Sequence, residues 1–459
     1  MAAALPSGQG SSSQPSSLAP ITITDLPRLD IDSYISNYSG RTRFDRLMTI
    51  GKTCVSLRIE AFKAAVHEAK NGSDVGQYKE ACHHLHQFAP GEPEAERDEK
   101  WIEETESANK QETSRLESEL KGYRNNLIKE SIRMGNEDLG KHYEKIGKLA
   151  EATEAYTKMR NDASTTKHIV DCGLNLARVA LQCHDWTAVV SNIGKVANVP
   201  SGDDEQWTVA YTKIISGVAL MRLELYHDAA KHLIQTNSNA DPATFSHVAS
   251  PSDIAIYGGL LALATMDRQD IQAKVLDNPN FRVFLENEPI IRKALALFVS
   301  GRYSGCLELL ESVRPDYSLD FHLQPHLAAV YGKIRAKCIV QYLIPYSCVT
   351  LESLDATFSK PGESIEAELV GMIRGGSLRA RIDTKNKLLV ADRPDPRLAM
   401  QTNALGVARK YEHEARERLR RMNLIVARLE VCGTKRGSTD VTAAAMASGI
   451  GARIKNLLN

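Results

Sequence analysis

The chain has 459 residues, of which 42% are hydrophobic, and its 57 lysines and arginines balance 57 aspartates and glutamates. Because it has no basic excess, the composition does not indicate a general affinity for nucleic acid through phosphate contacts. No basic region or long apolar run follows Met1, so we predict neither a signal peptide nor a membrane-spanning helix. Eight cysteines without a pairing pattern indicate a reducing compartment and buried free thiols.

Both ends of the chain are predicted to lie outside the folded part. Residues 1–26 are rich in serine and proline and carry no charge before Asp25, so they are too polar to bury a core and we predict disorder. Residues 433–459 are rich in glycine, alanine and threonine, which predicts a flexible tail.

Residues 27–326 are predicted to form a mainly α-helical solenoid of repeats that resemble tetratricopeptide repeats. Leu139-Gly140-x-x-Tyr143, followed by Ala152-x-x-x-Tyr156, has the spacing in which a small residue lets two helices cross closely and an aromatic ring fills the groove. Similar offsets recur at Ala177, Ala180, Val189 and Ile193, at Gly217, Leu220, Ala229 and Leu233, and at Ala294, Leu297, Cys306 and Leu310. The small residues stand 37, 40 and 77 positions apart, which leaves room for a degenerate repeat around Tyr257-Gly258-Gly259-Leu260.

One short cluster, Cys82-His83-His84-x-His86, has the residue types of a metal site, since Cys82 and His86 are four apart on a predicted helix. The alternative is the exposed face of a solenoid helix, which we favour because no second cluster supplies the missing ligands. A comparison of the His-x-His pair with deubiquitinating metalloproteases fails, because Gln87, Glu94 and Arg97 stand where that pattern needs proline, serine and aspartate. We therefore predict no metal, no cofactor and no catalytic residue.

Residues 327–395 are predicted to form a winged helix. A helix over 327–344 is stopped by Pro345, a second begins at the N-cap Thr350, and a third closes at Gly375-Gly376. The apolar period then changes from 3.6 to 2, and a loop at 384–387 reverses the chain into a hairpin. The apolar residues of this hairpin are the first candidates for a subunit interface, because an exposed strand can pair with a partner: Leu378, Ala380, Ile382, Leu388 and Val390.

A winged helix either binds nucleic acid or joins protein subunits, and its charges favour the second use. The last helix of the module offers Glu363, Glu366 and Glu368 against a single Arg374, whereas a helix that reads a DNA groove needs basic side chains. The hairpin carries four basic residues, which a solvent-exposed face explains equally well. We predict protein assembly, with nucleic acid as the minor alternative.

Residues 399–431 are predicted to form one helix of about 33 residues, about 50 Å long. It has an apolar stripe at alternating three- and four-residue spacing: Ala404, Ala408, Tyr411, Ala415, Leu419, Met422, Val426 and Leu429. Because this length exceeds the width of a winged helix, we favour a strand of a multi-subunit helical bundle over a helix folded back on its own module. The larger stripe residues are the second set of interface candidates: Tyr411, Leu419, Met422, Val426 and Leu429.

This order of solenoid, winged helix and trailing helix resembles the PCI-domain family, whose module is shared by the proteasome lid, the COP-nine signalosome and translation initiation factor three. Several strings resemble the subunit-one branch of the signalosome, including Tyr38-Ser39-Gly40-x-x-Arg43-x-x-Arg46-Leu47, Ile256-Tyr257-Gly258-Gly259-Leu260 and Ala380-Arg381-Ile382-Asp383. The resemblance covers about residues 27–431. Arg393-Pro394-Asp395 also occurs in the related proteasome-lid subunit, which keeps that alternative open.

The resemblance implies a non-catalytic scaffold subunit. Members of the family place their winged-helix edges side by side and gather their C-terminal helices into one bundle. The assembled signalosome removes the modifier Nedd8 from cullin–RING ubiquitin ligases, with its zinc chemistry in a different subunit. The implied partners are the other PCI subunits and, through the complex, the metalloprotease subunit and the ligases, in cytoplasm and nucleus. The alternatives are a proteasome-lid scaffold or, less favoured, a winged-helix component that binds nucleic acid or acts in translation.

Overall fold

The structure is a computed structural model that describes residues 29–127, 129–199, 206–238, 240–359, 364–392, 396–427 and 429. The predicted disordered segment 1–26 and the predicted tail 433–459 lie outside these ranges. The chain divides into two units, one formed by residues 1–378 and 382–390 and the other by residues 379–381 and 391–459. Within the described ranges, no helix is both long and apolar enough to cross a membrane.

The first unit is built almost entirely from helices. They run in chain order as α1 (Ile31–Ile35), α2 (Arg41–Thr53), α3 (Arg58–Asn71), α4 (Val75–Phe88), α5 (Glu99–Asn125), α6 (Lys129–Lys145), α7 (Leu149–Asn161), α8 (Thr166–Gln182), α9 (Trp186–Ala197), α10 (Gln206–Arg222), α11 (Tyr226–Ile234), α12 (Pro242–Phe245), α13 (Pro251–Thr265), α14 (Arg268–Asp270), α15 (Pro279–Asn287), α16 (Pro289–Val299), α17 (Tyr303–Tyr317), α18 (Gln324–Leu343), α19 (Leu351–Phe358) and α20 (Glu366–Arg374). The prediction of a mainly α-helical repeat fold is confirmed.

Four of the helical pairs turn through the same kind of loop. Gly147, His184, Glu224 and Gly301 have positive φ angles of 82°, 59°, 63° and 81°. They stand 37, 40 and 77 positions apart, which are the spacings of the predicted small residues. In each loop the next amide donates to the carbonyl five positions before it, a Schellman closure that ends one helix and reverses the chain into the next.

Small residues bring the paired helices into close contact. A Cβ atom at Gly140 would lie 2.6 Å from the ring of Tyr156, and one at Gly217 would lie 2.6 Å from Leu233. Tyr156 is fully buried between α6, α7 and α8. These contacts are the tetratricopeptide-like crossings that the sequence predicts at both positions.

The winged helix follows α18 and contains a three-stranded sheet. Its strands are β1 (Cys348–Thr350), β2 (Ala380–Asp383) and β3 (Leu388–Ala391), in the order β1-β3-β2. β1 pairs antiparallel with β3, and Cys348 lies opposite Val390. As predicted, Thr350 caps α19 by accepting a hydrogen bond from the Ser353 amide at 3.3 Å.

The second unit contains the long final helix, α21 (Pro396–Val426), which has 31 residues. The prediction placed this helix at 399–431; the described helix begins three residues earlier, at Pro396, and ends at Val426, and residues 428, 430 and 431 lie outside the described ranges. Leu429 lies beyond the helix, where its amide donates to the Leu424 carbonyl at 3.0 Å and closes the last turn.

Candidate assembly surfaces

The hairpin residues predicted for a subunit interface differ in their exposure. Leu378 and Ala380 are buried, with 7% and 8% of their surface exposed, whereas Val390 is 41% exposed. Ile382 and Leu388 are half-buried. The side chains of Leu378 and Ala380 therefore belong to the core of this chain, and Val390 is the most exposed of the five.

The strand order shows which strand of the hairpin has an open edge. β3, which carries Leu388 and Val390, is the central strand, because the unpredicted β1 pairs with it on the side away from β2. The backbone groups of β3 are therefore used within the sheet, and β2 and β1 form its edges over the described residues. β2, which begins at Ala380 and contains Ile382, is the hairpin strand that can accept a partner strand.

In a winged helix that binds nucleic acid, α20 would be the helix that enters the groove. The first turn of α20 is acidic in the structure, as it is in the sequence. Glu366 and Glu368 lie in the first turn of α20, while Glu363 falls outside the described residues. Glu368 forms an ion pair with Arg335 of α18 at 2.9 Å, and Arg335 also donates to the Phe358 carbonyl at 2.9 Å. This arrangement fixes α20 to α18, and over its described residues α20 presents no basic row to a phosphate backbone.

The predicted apolar stripe of α21 is exposed. Tyr411 is 75%, Leu419 56%, Met422 49% and Val426 84% exposed, and Leu429, beyond the helix, is 71% exposed. At about 100° per residue, three further apolar side chains extend the same stripe, and the sequence prediction missed them: Met400, Val407 and Ile425, which are 75%, 68% and 59% exposed.

Charged side chains occupy much of the rest of α21, and several of them pair with one another. Arg416 contacts Glu412 at 2.6 Å and Arg420 contacts Glu417 at 3.0 Å. Such exposed pairs contribute little to stability, roughly 0.3–0.5 kcal/mol each. α21 thus has a charged face, which is favourable in water, and an apolar stripe, which is not. The large side chains of the stripe are at least 49% exposed.

The sequence strings that carry the family resemblance meet in a buried cluster. Arg46 of α2 is fully buried and donates to Asp253 at 2.8 Å and to Asp320 at 2.7 Å. The Tyr38 hydroxyl donates to Asp253 at 2.8 Å, and the Tyr257 hydroxyl donates to Asp320 at 2.7 Å. The cluster therefore ties the N-terminal helices to α13 and to the segment that follows α17.

The electrostatics of this cluster follow from one cation between two carboxylates. Burial raises the pKa of Asp253, and the Arg46 charge opposes that shift. Burial acts in the same direction on Asp320, but Arg46 and further hydrogen bonds hold the pKa of that carboxyl below its usual value. Burial alone would lower the pKa of Arg46, but the surrounding carboxylates and tyrosines raise it well above its usual value. Arg46 therefore remains charged.

The cysteine and histidine cluster on α4 is divided between core and surface. Cys82 is buried, whereas His86 is exposed and His84 stacks on Phe62 with ring centroids 5.7 Å apart. The interpretation of the whole cluster as an exposed face is therefore wrong for Cys82. Over the described residues, no group of three or more His, Cys, Asp or Glu side chains is placed to hold a metal ion.

The prediction of buried thiols is also only partly correct. Among the described cysteines, Cys183 and Cys348 are exposed and the other five are buried. Burial raises the pKa of Cys172 to about 11, so that thiol is protonated at neutral pH.

Two family models match consecutive parts of the chain. Residues 98–274 match the model described as 26S proteasome subunit RPN7, and residues 310–393 match the model described as PCI domain. The first match covers solenoid helices, and the second covers the end of the solenoid, the winged helix and its hairpin.

Similar proteins over nearly the whole chain are signalosome subunits. COP9 signalosome complex subunit 1 of Neurospora crassa is 47% identical over 405 residues, which are 88% of this chain and 92% of the relative. The proteins of that name from Emericella nidulans and Arabidopsis thaliana are 44% and 35% identical, covering 90% and 86% of this chain and 86% and 90% of the relatives. This chain belongs to the COP9 signalosome subunit 1 family.

Membership of the COP9 signalosome subunit 1 family confirms the resemblance stated from the sequence strings. It also decides against the proteasome-lid alternative, which is not favoured by relatives at this identity and coverage. The match to the RPN7 model lies within the helical part of this chain.

Proposed function

We propose that the chain is a non-catalytic scaffold subunit of the COP9 signalosome, which supports removal of Nedd8 from cullin–RING ubiquitin ligases by assembling the complex through its winged helix and its final helix. The observation that carries the proposal is the exposed apolar stripe of α21, in a chain of the subunit 1 family.

The stripe of α21 supplies the energy for assembly. Leu419, Met422 and Val426 lie on one side of the helix and are 56%, 49% and 84% exposed. Complete burial of such a side chain stabilises a protein by roughly 1.5–3 kcal/mol. Because these three side chains are only partly buried in this chain, each would contribute part of that free energy when a partner covers it. A helical bundle with the corresponding helices of other subunits would bury the stripe while the charged face stays in water.

The edge strand β2 would determine how a neighbouring subunit is oriented. A partner strand that pairs with β2 would complete the backbone hydrogen bonds on its open side and would fix the orientation of the neighbouring subunit. The side chain of Ile382 is half-buried and packs within the module, so we assign the contact to the β2 backbone. Val390 of β3 is exposed and would lie on the face of the sheet beside such a contact.

The catalytic chemistry is assigned to another subunit. Among the described residues no cluster is placed to bind zinc, and the guanidinium group of the buried Arg46 is already paired with Asp253 and Asp320. The partners of the proposal are the other PCI subunits and, through the complex, the metalloprotease subunit and the cullin–RING ligases. The proposal places the chain in cytoplasm and nucleus, where those ligases act.

The proposal is tested by native purification of the tagged full-length chain followed by mass spectrometry. We expect further PCI subunits, a metalloprotease subunit and a cullin in the same complex. We also expect cells without the chain to accumulate Nedd8-modified cullin, and the purified chain alone not to cleave that modification. Recovery with proteasome-lid subunits in place of a cullin would contradict the assignment.

A further inference from the structure

A cavity of about 360 Å³ lies beside the buried Arg46 cluster. Its walls come from α1, from the start of α13, from the junction of α15 and α16, and from the end of α17 and the segment after it. Residues of α1 at this cavity, such as Ser33, are exposed, so solvent reaches it. The cavity is separate from the winged helix and from α21, which carry the proposed assembly function.

The charges that line the cavity have one sign. Among the residues that the structure describes, five carboxylates line it and no lysine or arginine does: Asp30, Asp253, Glu288, Asp320 and Asp316, the last of which also has an interaction of its own. Arg46, which lies behind the wall, is shared between Asp253 and Asp320 and balances only one of them. The cavity therefore has a negative potential that a positively charged ligand would relieve.

A buried tyrosine provides an independent indication of a ligand. Tyr317 is 8% exposed and lines the cavity, and its hydroxyl has no hydrogen-bond partner among the described residues. Glu288 lines the same cavity, and its carboxylate adds to the effect of burial in raising the pKa of Tyr317. A buried hydroxyl without a partner is costly to the folded state, and a ligand with an N–H group would satisfy it.

The remaining wall determines the shape of the ligand. Ile256, Ile290, Val313 and Leu323 give the cavity apolar sides. Apolar walls beside carboxylates suit a chain of methylene groups that ends in a charge, because the methylene groups gain from burial while the charge is paired. An inorganic ion fits less well, since no group of three or more acidic or metal-binding side chains converges over the described residues.

We infer that this cavity binds an alkylguanidinium or alkylammonium group, either the side chain of an arginine or lysine in a protein segment or a free aliphatic amine. The ligand's methylene groups lie against the apolar side chains. Its cationic head pairs with Glu288 and donates a hydrogen bond to the Tyr317 hydroxyl oxygen.

The test is a calorimetric titration of the purified full-length chain with agmatine, which carries a guanidinium group at one end of a four-carbon chain and an ammonium group at the other. N-butylurea, which has a similar length and no charge, is the matched ligand control. We expect saturable binding of agmatine, at least tenfold weaker binding of butylurea, and a loss of about tenfold or more in agmatine affinity for Glu288→Gln. Glu286→Gln, on the exposed side of α15, is the matched variant and should bind as the wild type does.

Tyr317→Phe keeps the test decisive if Glu288→Gln does not fold. Because it removes an unsatisfied hydroxyl, this variant should unfold at the same or a higher temperature than the wild type and still bind agmatine more weakly. A peptide with a single central arginine distinguishes the sources: binding at least as tight as that of agmatine assigns the site to a protein side chain, and weaker binding assigns it to a free amine. Equal binding of butylurea and agmatine, or unchanged affinity in Tyr317→Phe and Glu288→Gln, would overturn the inference.

Discussion

Arg46 and Asp253 are 207 positions apart in the chain, yet their side chains meet at 2.8 Å, with 0% and 4% of their side-chain surfaces exposed. Asp320 occupies the other side of the same guanidinium at 2.7 Å. A protein with a buried ion pair of this kind is little more stable than one in which apolar residues replace both partners. Removal of one partner alone, however, strongly destabilises the protein, because the other charge is left buried and unpaired. The cluster thus makes the N-terminal helices and α13 depend on each other.

Replacement of Arg46 by methionine should therefore destabilise the first unit strongly. We expect a loss of about 3–5 kcal/mol in the free energy of unfolding, because two carboxylates would be left buried without a cation. Arg282→Met is the matched control, since Arg282 is 57% exposed and its ion pair with Glu286 is 3.9 Å long. Urea unfolding of both variants checks this, and a loss below about 1 kcal/mol for Arg46→Met would contradict it.

Two glycines allow a matched test of the helix crossings. Gly140→Ala would place a Cβ atom 2.6 Å from the Tyr156 ring, whereas Gly194→Ala would meet no atom within 4 Å. We expect Gly140→Ala to destabilise the chain by about 1–3 kcal/mol through overpacking. Gly194→Ala, in the interior of α9, should stabilise it by roughly 0.5–1 kcal/mol because alanine favours the helix. Thermal unfolding distinguishes the two, and equal effects would contradict the close crossing.

The half-buried His247 should make stability depend on pH. Burial, with a contribution from Arg178, lowers the pKa of His247 to about 4, and the Tyr211 hydroxyl lies 2.6 Å from its Nε2 atom. The unfolded chain, in which the pKa is about 6.5, therefore binds more protons between pH 6.5 and 4. The stability that this residue contributes is complete above pH 6.5 and should fall by about 3 kcal/mol towards pH 4.

Comparison of the wild type with His247→Gln over this pH range measures that contribution. Glutamine keeps a hydrogen-bonding side chain at this position but does not titrate, so the variant should show a shallower fall in unfolding free energy. Identical pH profiles for the two proteins would mean that His247 takes up its proton as readily in the folded state as in the unfolded state.

The sequence predicted the elements that depend on local pattern. The positions of Gly140 and Gly217, the N-cap Thr350 and the exposed stripe of α21 follow from spacing along one or two helices. The Arg46 cluster could not be predicted in this way, because Arg46 is 207 positions from Asp253 and 274 positions from Asp320 along the chain. Arg46 and Tyr257 both occur in the strings that carry the family resemblance, but nothing in either string shows that they meet.

The errors at the sheet and at α21 also have physical reasons. β1 has only three residues, Cys348 to Thr350, which is too short for an alternating pattern, and its pairing with β3 is decided by tertiary contact. α21 ends at Val426 although the apolar spacing continues to Leu429, because periodicity alone does not mark where a helix frays. The first error matters for function, since β1 makes β3 a central strand.

The open edge of β2 gives a prediction for assembly. Ile382→Pro removes a backbone donor and should prevent a partner strand from pairing, so the variant should lose partner subunits while the solenoid stays folded. Arg381→Ala is the control, because the Arg381 side chain is 81% exposed and the substitution keeps the backbone donor. Co-purification measures subunit recovery, and normal stoichiometry for Ile382→Pro would exclude the hairpin as the joint.

The central claim is that the exposed stripe of α21 joins this chain to the signalosome, and charged residues on that stripe test it most directly. In the variant Leu419→Glu, Met422→Glu and Val426→Glu, the purified chain should unfold as the wild type does, because these side chains are 56%, 49% and 84% exposed. The control is Arg409→Ala, Arg416→Ala and Arg420→Ala, which changes the net charge equally on the opposite face. Native mass spectrometry of the complex purified through another subunit should find the control at wild-type stoichiometry and the stripe variant absent. A stripe variant present at wild-type stoichiometry would contradict the account.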